Sequence, residues 1–195
     1  MAGVWRYRRS QRGKPFRVLV LGGARSGKSV TAERMLTRRP HVDYVATGAV
    51  PDDADPEWAA RVNAHRRRRP PHWTTLETRN LEPVLTASSP DRLATPVLVD
   101  CLSTWLAGVM DDLGIWSGAD GADKELASQV DGLVDAWRST RRHVVAVSNE
   151  VGSGVVPATA SGVRYRDELG VLNARIAAES ERVWYCVAGI ARRIK

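Results

Sequence analysis

Residues 16–38 commit the chain to one local structure. An apolar run, FRVLVL, leads straight into Gly22, Gly23, Ala24, Arg25, Ser26, Gly27, Lys28 and Ser29, and the pattern KSVTAERML follows with helical spacing. The eight residues match GxxxxGK[ST] in the context that pattern requires, after a strand and opening a helix. Glycines at these positions let backbone N–H groups turn inward around phosphate oxygens. The helix N-terminus adds partial positive charge. In such a loop the lysine, Lys28, reaches the β- and γ-phosphates and the hydroxyl of Ser29 binds Mg²⁺. The plain alternative is a glycine-rich strand-to-helix turn with no ligand.

The same alternation continues along the chain. Strands are expected at Phe16–Leu21, Val42–Ala46, Trp73–Glu77, Pro96–Val99, His143–Val147 and Arg182–Val187. Helices are expected at Lys28–Arg38, Asp55–Arg66, Leu102–Leu113, Lys124–Thr140 and Tyr165–Glu181, with Gly114–Ala122 as a loop. Strands alternating with helices predict an α/β fold with a mostly parallel central sheet flanked by helices. Open parallel sheets bind ligands beyond the C-terminal ends of their strands. That rule gathers Gly22–Ser29, Thr47–Pro51, Asp100 and Asn149–Pro157 along one edge.

A length of 195 residues suits a single domain, read here as 17–195. No apolar run reaches the roughly 20 residues that span a bilayer. Cys101 and Cys186 lie in apolar stretches, outside any CxxC pair, and read as buried free thiols of a reducing compartment. The net charge of +7 hints at nucleic acid, but Arg6, Arg8, Arg9, Arg12, Lys14 and Arg17 supply six of those charges with no acid among them. The basic excess is therefore largely a tail, residues 1–16, and nucleic acid is not an expected partner. The tail lacks the apolar stretch of a secretory signal and is expected to be disordered.

Asp100 ends the apolar run PVLVD, where a metal-binding carboxylate would stand on a strand near the loop. Its other reading is the N-cap of the helix at Leu102. Of the four histidines, His41, His72 and His143 read as structural or solvent-facing. His65 shares a helix face with Arg61 and Val62, with Trp58 a further turn back. Arg66, Arg67, Arg68 and Arg69 follow it directly. An imidazole beside guanidiniums suits a nucleophile attacking phosphorus, although such a charge run is more often a solvated helix end.

Taken together, the motifs resemble the bifunctional adenosylcobinamide kinase/adenosylcobinamide-phosphate guanylyltransferase family of cobalamin biosynthesis. The resemblance rests on GGARSGKS, on YVATGAVPDDADPEWAARVNAHRRRRPPHW (Tyr44–Trp73), on VLVDCLSTWL, on VSNEVGSGVVP and on YRDELGVLNARIAAESERVWYCVAGI. It covers nearly all of the chain after the tail. It departs where Asp55-Pro56-Glu57-Trp58 replaces the family's acidic-Met step. The resemblance implies a RecA-like P-loop fold, a cytoplasmic homotrimer without membrane insertion, and GTP, ATP, adenosylcobinamide and its phosphate as ligands, with Mg²⁺. It implies guanylylation of His65. It also implies nucleotide contacts from Gly22–Ser29, from Thr47, Gly48 and Ala49, from Arg66–Arg69, from Glu77 as an acceptor for guanine, and from Asp100. Rival readings are a P-loop small-molecule kinase without transferase activity, a RecA-like ATPase acting on nucleic acid, and a nucleotide-binding scaffold.

Overall fold

The computed structural model describes residues 16–49 and 55–195; the basic tail to residue 15, and Pro51 at the end of the second loop, lie outside them. The elements are β1 (Arg17–Gly22), α1 (Lys28–Leu36), β2 (Asp43–Ala46), α2 (Pro56–Arg68), β3 (Thr74–Glu77), α3 (Glu82–Thr86), α4 (Pro90–Ala94), β4 (Val97–Asp100), α5 (Leu102–Asp112), α6 (Ala122–Ser139), β5 (Val144–Asn149), α7 (Ala160–Ala178), β6 (Arg182–Val187) and β7 (Ile190–Arg193). The strands form one sheet in the order β3-β2-β4-β5-β1-β6-β7. Every described pairing is parallel except β6 with β7. The α/β expectation is therefore met, with β5 standing between β1 and β4.

The two faces of the sheet are covered unequally. On one face Val18, Val20, Tyr44 and Leu98 pack beneath Ala32 and Leu36 of α1. On the other, Leu19, Val45 and Val99 lie under the longer cover of α5, α6 and α7, with Leu106, Trp137 and Leu172 fully buried. Burial on both faces explains why the central strands β1, β4 and β5 read as near-continuous apolar runs.

Several boundaries differ from the sequence expectation. Helix α2 runs on to Arg68, two residues further, and stops because Pro70 disfavours helical geometry at Arg69. Helix α7 begins at Ala160, five residues early, because Thr159 caps it by accepting from Gly162 N–H at 3.1 Å. Gly114–Ala122 contains a 3-10 turn at Ile115–Ser117. The short α3 and α4 span five residues each, too few for periodicity to reveal. Strand β7 was also unforeseen. It returns antiparallel through a two-residue turn in which Ala188 and Gly189 both have positive φ, 49° and 79°, the signature of a type I′ hairpin.

Candidate active site

The loop after β1 is held in shape by its own backbone. Ser26 N–H donates to the Gly23 carbonyl at 3.3 Å and Thr31 N–H to the Gly27 carbonyl at 2.9 Å. Gly27 has φ 90°, which only glycine adopts without strain. A Cβ at Gly22 would lie 2.6 Å from the Cys186 carbonyl oxygen, so β6 dictates that glycine by close approach. The β6–β7 turn backs the loop, with Gly189 N–H donating to the Ser26 carbonyl at 3.0 Å. Ala24 and Arg25 are exposed at the loop's crest.

Two side chains show that the loop suits an anion. Lys28 Nζ donates to the Gly23 carbonyl at 3.1 Å, laying the amine along the loop, and the residue is 6% exposed. Ser26 Oγ is buried with no hydrogen-bond partner among the described residues. A buried hydroxyl left so costs about 1–3 kcal/mol, and a phosphate oxygen would accept its proton.

Asp100, at the end of β4, is the hub of the site. Ser29 Oγ donates to its Oδ1 at 3.4 Å. Tyr44 Oη donates to its Oδ2 at 2.6 Å, and His65 Nδ1 lies 3.3 Å from that same oxygen. Burial pushes the Asp100 carboxyl up; hydrogen bonds from His65 and Tyr44, with the charges of His65 and Lys28, outweigh it and hold the group below its ordinary value. Burial first, then the Asp100 charge, pushes the Tyr44 phenol far up, so it remains a proton donor. Asp100 is not the cap of α5; Cys101 is, together with Thr104.

The donor set suits a hard cation. Oδ2 is occupied by Tyr44 and His65, whereas Oδ1 faces the Ser29 hydroxyl, so one carboxylate oxygen and one hydroxyl face the mouth of the loop. Mg²⁺ commonly takes one or two such protein oxygens and completes its shell with phosphates and water. Glu33, 8% exposed, stands close by: its carboxylate, His65 and Asp100 offer ligand atoms within 4.8 Å of one another.

The other expected site residues distribute as follows. Thr47 is fully buried and its hydroxyl is committed to the protein, donating to the Cys101 carbonyl at 2.6 Å and accepting from Cys101 N–H at 3.1 Å. Gly48 lies against the Trp58 ring, and the Ala49 carbonyl accepts from Trp58 Nε1–H at 2.9 Å. The arginine row does not converge on one point. Arg66 pairs with Glu77 at 2.5 Å, Arg68 with Glu33 at 3.2 Å, and Arg69 lies 3.4 Å from the centroid of the Tyr44 ring, while Arg67 is exposed. Glu77 ends β3, four strands along the sheet from β1. Asn149 is in register with Gly22, Glu150 N–H donates to the Gly22 carbonyl at 3.1 Å, and Val155 and Val156 form an exposed apolar tip. His41 and His72 are exposed, and His143 sits at the opposite end of the sheet.

Sequence reasoning missed Tyr44 and Glu33. Glu33 follows Ser29 by four residues, so helical spacing alone puts both on one face. Tyr44 carried no such signal, because its approach to Asp100 depends on the β2–β4 register, in which Tyr44 faces Leu98 and Ala46 faces Asp100.

A phosphate-shaped loop on β1 and a carboxylate on β4, with β5 between them, define a RecA-like P-loop nucleotide-binding enzyme. Comparison of the sequence with known proteins narrows that class. Residues 18–194 match the family described as cobinamide kinase / cobinamide phosphate guanyltransferase, and the chain belongs to that family. It is 37% identical over 186 residues to the bifunctional adenosylcobalamin biosynthesis protein CobU of Salmonella typhimurium, covering 91% of this chain and 99% of that protein. It is 36% identical to the Escherichia coli protein of the same name, over 91% and 99% of the two chains. It is 38% identical to the bifunctional adenosylcobalamin biosynthesis protein CobP of Pseudomonas aeruginosa, over 92% and 98%. The chain is accordingly a kinase and guanylyltransferase acting on cobinamide substrates with nucleotides. Among the described residues no helix is long and apolar enough to cross a membrane.

Proposed function

We propose that the chain phosphorylates the aminopropanol hydroxyl of adenosylcobinamide with ATP or GTP, then transfers GMP from GTP to that phosphate through a guanylylated His65. The products of the second reaction are adenosylcobinamide-GDP and pyrophosphate. The observation that carries this reading is the position of His65, whose Nδ1 lies 3.3 Å from an Asp100 that also meets Ser29 of the phosphate loop. A nucleophile on α2 thus stands beside the seat of a triphosphate on β1 and α1.

In the transfer, Asp100 Oδ2 holds the Nδ1 side of the ring, which leaves Nε2 to attack the α-phosphorus of GTP as the bond to pyrophosphate breaks. The Asp100 carboxylate stabilises the positive charge that develops on the imidazole. A phosphate oxygen of adenosylcobinamide phosphate then attacks the same phosphorus and Nε2 leaves with its electron pair. Dividing one displacement into two in this way is covalent catalysis. Lys28 and the loop amides hold the polyphosphate. Ser29 and Asp100 would hold Mg²⁺, which when bound neutralises phosphate charge. Arg66 and Arg68 would exchange their present acidic partners, Glu77 and Glu33, for phosphate oxygens, and Arg67 and Arg69 would join them. Glu77 would accept from the guanine edge, at the far end of a nucleotide laid across the strand ends.

Incubation with α-labelled GTP tests the reading: the wild type takes up acid-labile, base-stable label, and His65→Ala takes up none. Label on the variant, or none on the wild type, would sink it. The bond is expected at Nε2, which NMR of the adduct reads directly. The homotrimer and the cytoplasmic location rest on the family resemblance and on the free thiols Cys101 and Cys186; light scattering should give about three times the 21.4 kDa chain mass.

A further inference from the structure

Helix α2 carries the proposed nucleophile yet has little hold on the core. None of its described residues is fully buried. Its sequence, PEWAARVNAHRRR, offers only one large apolar side chain, Trp58. The helix is therefore held by discrete contacts rather than by a packed face, and those contacts are of two kinds.

At its C-terminal end, besides His65 on Asp100, the contacts are made by arginines: Arg66 to Glu77, Arg68 to Glu33, and Arg69 over Tyr44 with its Nη1 3.1 Å from Thr75 Oγ1. These cations are the groups a polyphosphate would draw away. At the N-terminal end the Trp58 indole meets backbone of the β2 loop. The Trp58 indole lies so close on Gly48 that a Cβ there would come within 2.6 Å of Cζ2. Its Nε1–H donates to the Ala49 carbonyl at 2.9 Å. Its own N–H is fixed by the Asp55 carboxylate at 2.9 Å, which caps the helix. Both partners of the indole stand just after β2, the strand that also bears Tyr44.

Trp58 and His65 are seven residues apart, two helical turns, so they share one face about 10 Å apart along the axis. We propose that Trp58 is the positioning residue of the guanylyl transfer. It is an anchor that phosphate does not compete for, and it keeps α2 seated on the β2 loop while the arginines change partners. His65 therefore stays within reach of the α-phosphorus. The inference rests on the His65 reading above. It separates the two activities of the chain, because γ-phosphoryl transfer to an alcohol makes no use of α2's imidazole.

The test measures both activities in Trp58→Ala and Trp58→Phe: label uptake from α-labelled GTP at saturating nucleotide, and phosphorylation of adenosylcobinamide from γ-labelled nucleotide. In Trp58→Ala guanylylation should slow by about tenfold or more, since a displacement of about 1 Å is enough for such losses, while the kinase rate stays within about twofold. Trp58→Phe, which keeps a ring over Gly48 but loses the bond to Ala49, should show a smaller loss in guanylylation alone. Guanylylation at the wild-type rate in both variants overturns the proposal. So does an equal fall in both activities, which would mark Trp58 as a general structural residue. If Trp58→Ala fails to fold, Trp58→Phe decides: a selective loss supports the proposal, and a wild-type rate overturns it. A wild-type chain that takes no label fails differently, removing the His65 reading and the Trp58 role with it.

Discussion

The two ends of the parallel sheet treat buried polar groups in opposite ways. At the end where the strands begin, Arg142 is 1% exposed and its guanidinium is nearly saturated. It pairs with Asp43 at 2.5 Å, and it donates to the Thr95 carbonyl at 2.8 Å and the Val84 carbonyl at 2.8 Å. Those bonds tie β2 to α3 and to the entries of β4 and β5. At the end where the strands finish, Ser26 Oγ, Ser148 Oγ and Asn149 Oδ1 are buried without partners among the described residues, and Asp100 divides its oxygens among three side chains. His143 Nδ1 and Trp73 Nε1 are the exceptions, two unpartnered atoms at the end where the strands begin. That end is largely completed by the chain itself; the other keeps hydrogen-bonding capacity for a ligand. Stability and chemistry are thus separated along the strand axis, by roughly the 17–20 Å length of a strand.

Substitutions at the two ends should therefore fail in different measurements. Arg142→Ala leaves Asp43 buried with Arg92 as its one remaining cation among the described residues and should destabilise by about 3–5 kcal/mol, lowering the unfolding midpoint by roughly 6–20 °C. The folded fraction should keep its kinetic constants; a specific loss of activity would break the division. Lys28→Ala should reverse that pattern, lowering both activities by roughly 10²–10³-fold and moving the unfolding midpoint far less. Ser26→Ala sharpens the contrast, because it removes a polar atom that the protein itself does not satisfy. Its stability should hold or rise slightly, while nucleotide affinity falls by about 1 kcal/mol, about fivefold. A clear loss of stability in calorimetry would show that the hydroxyl has a structural partner. The smallest effect is on pH dependence. Because the Asp100 carboxyl is held below its ordinary 3.8, its stabilisation is complete above that value and disappears as pH falls through the lower folded value. Denaturant unfolding should therefore show a shallower acid limb in Asp100→Asn than in the wild type, and superimposable limbs would contradict the assignment.

How much of this was readable beforehand depends on how local the cause is. The phosphate loop and Asp100 were legible because each is a short pattern at the end of an apolar strand. The parallel sheet followed from alternation alone. His65 was not legible from its neighbours, which suit a wet helix end equally well; the resemblance singled it out. Glu33 was within reach of helical spacing from Ser29, but Tyr44 and the Trp58 seat on Gly48 depend on which strands and helices meet, and a linear sequence does not display that. The same holds for β7, four residues whose two arginines look like loop until a positive-φ turn folds them back. The N-cap reading of Asp100 failed for a local reason: the helix begins at Leu102 as expected, so the residue directly before it, Cys101, takes the role.

The position of β1 has a consequence for biogenesis. It is the first described strand to leave the ribosome, yet its neighbours in the sheet are β5 and β6, with Arg17 set against Val144 and Val18 against Arg182. Its glycine loop also leans on Gly189. More than a hundred residues must be synthesised before either side of that strand is covered, and such non-local pairing is slow to form. Nascent chains should therefore remain unable to hold nucleotide until translation has passed the β6–β7 turn, and until then the apolar run FRVLVL is a natural client for chaperones.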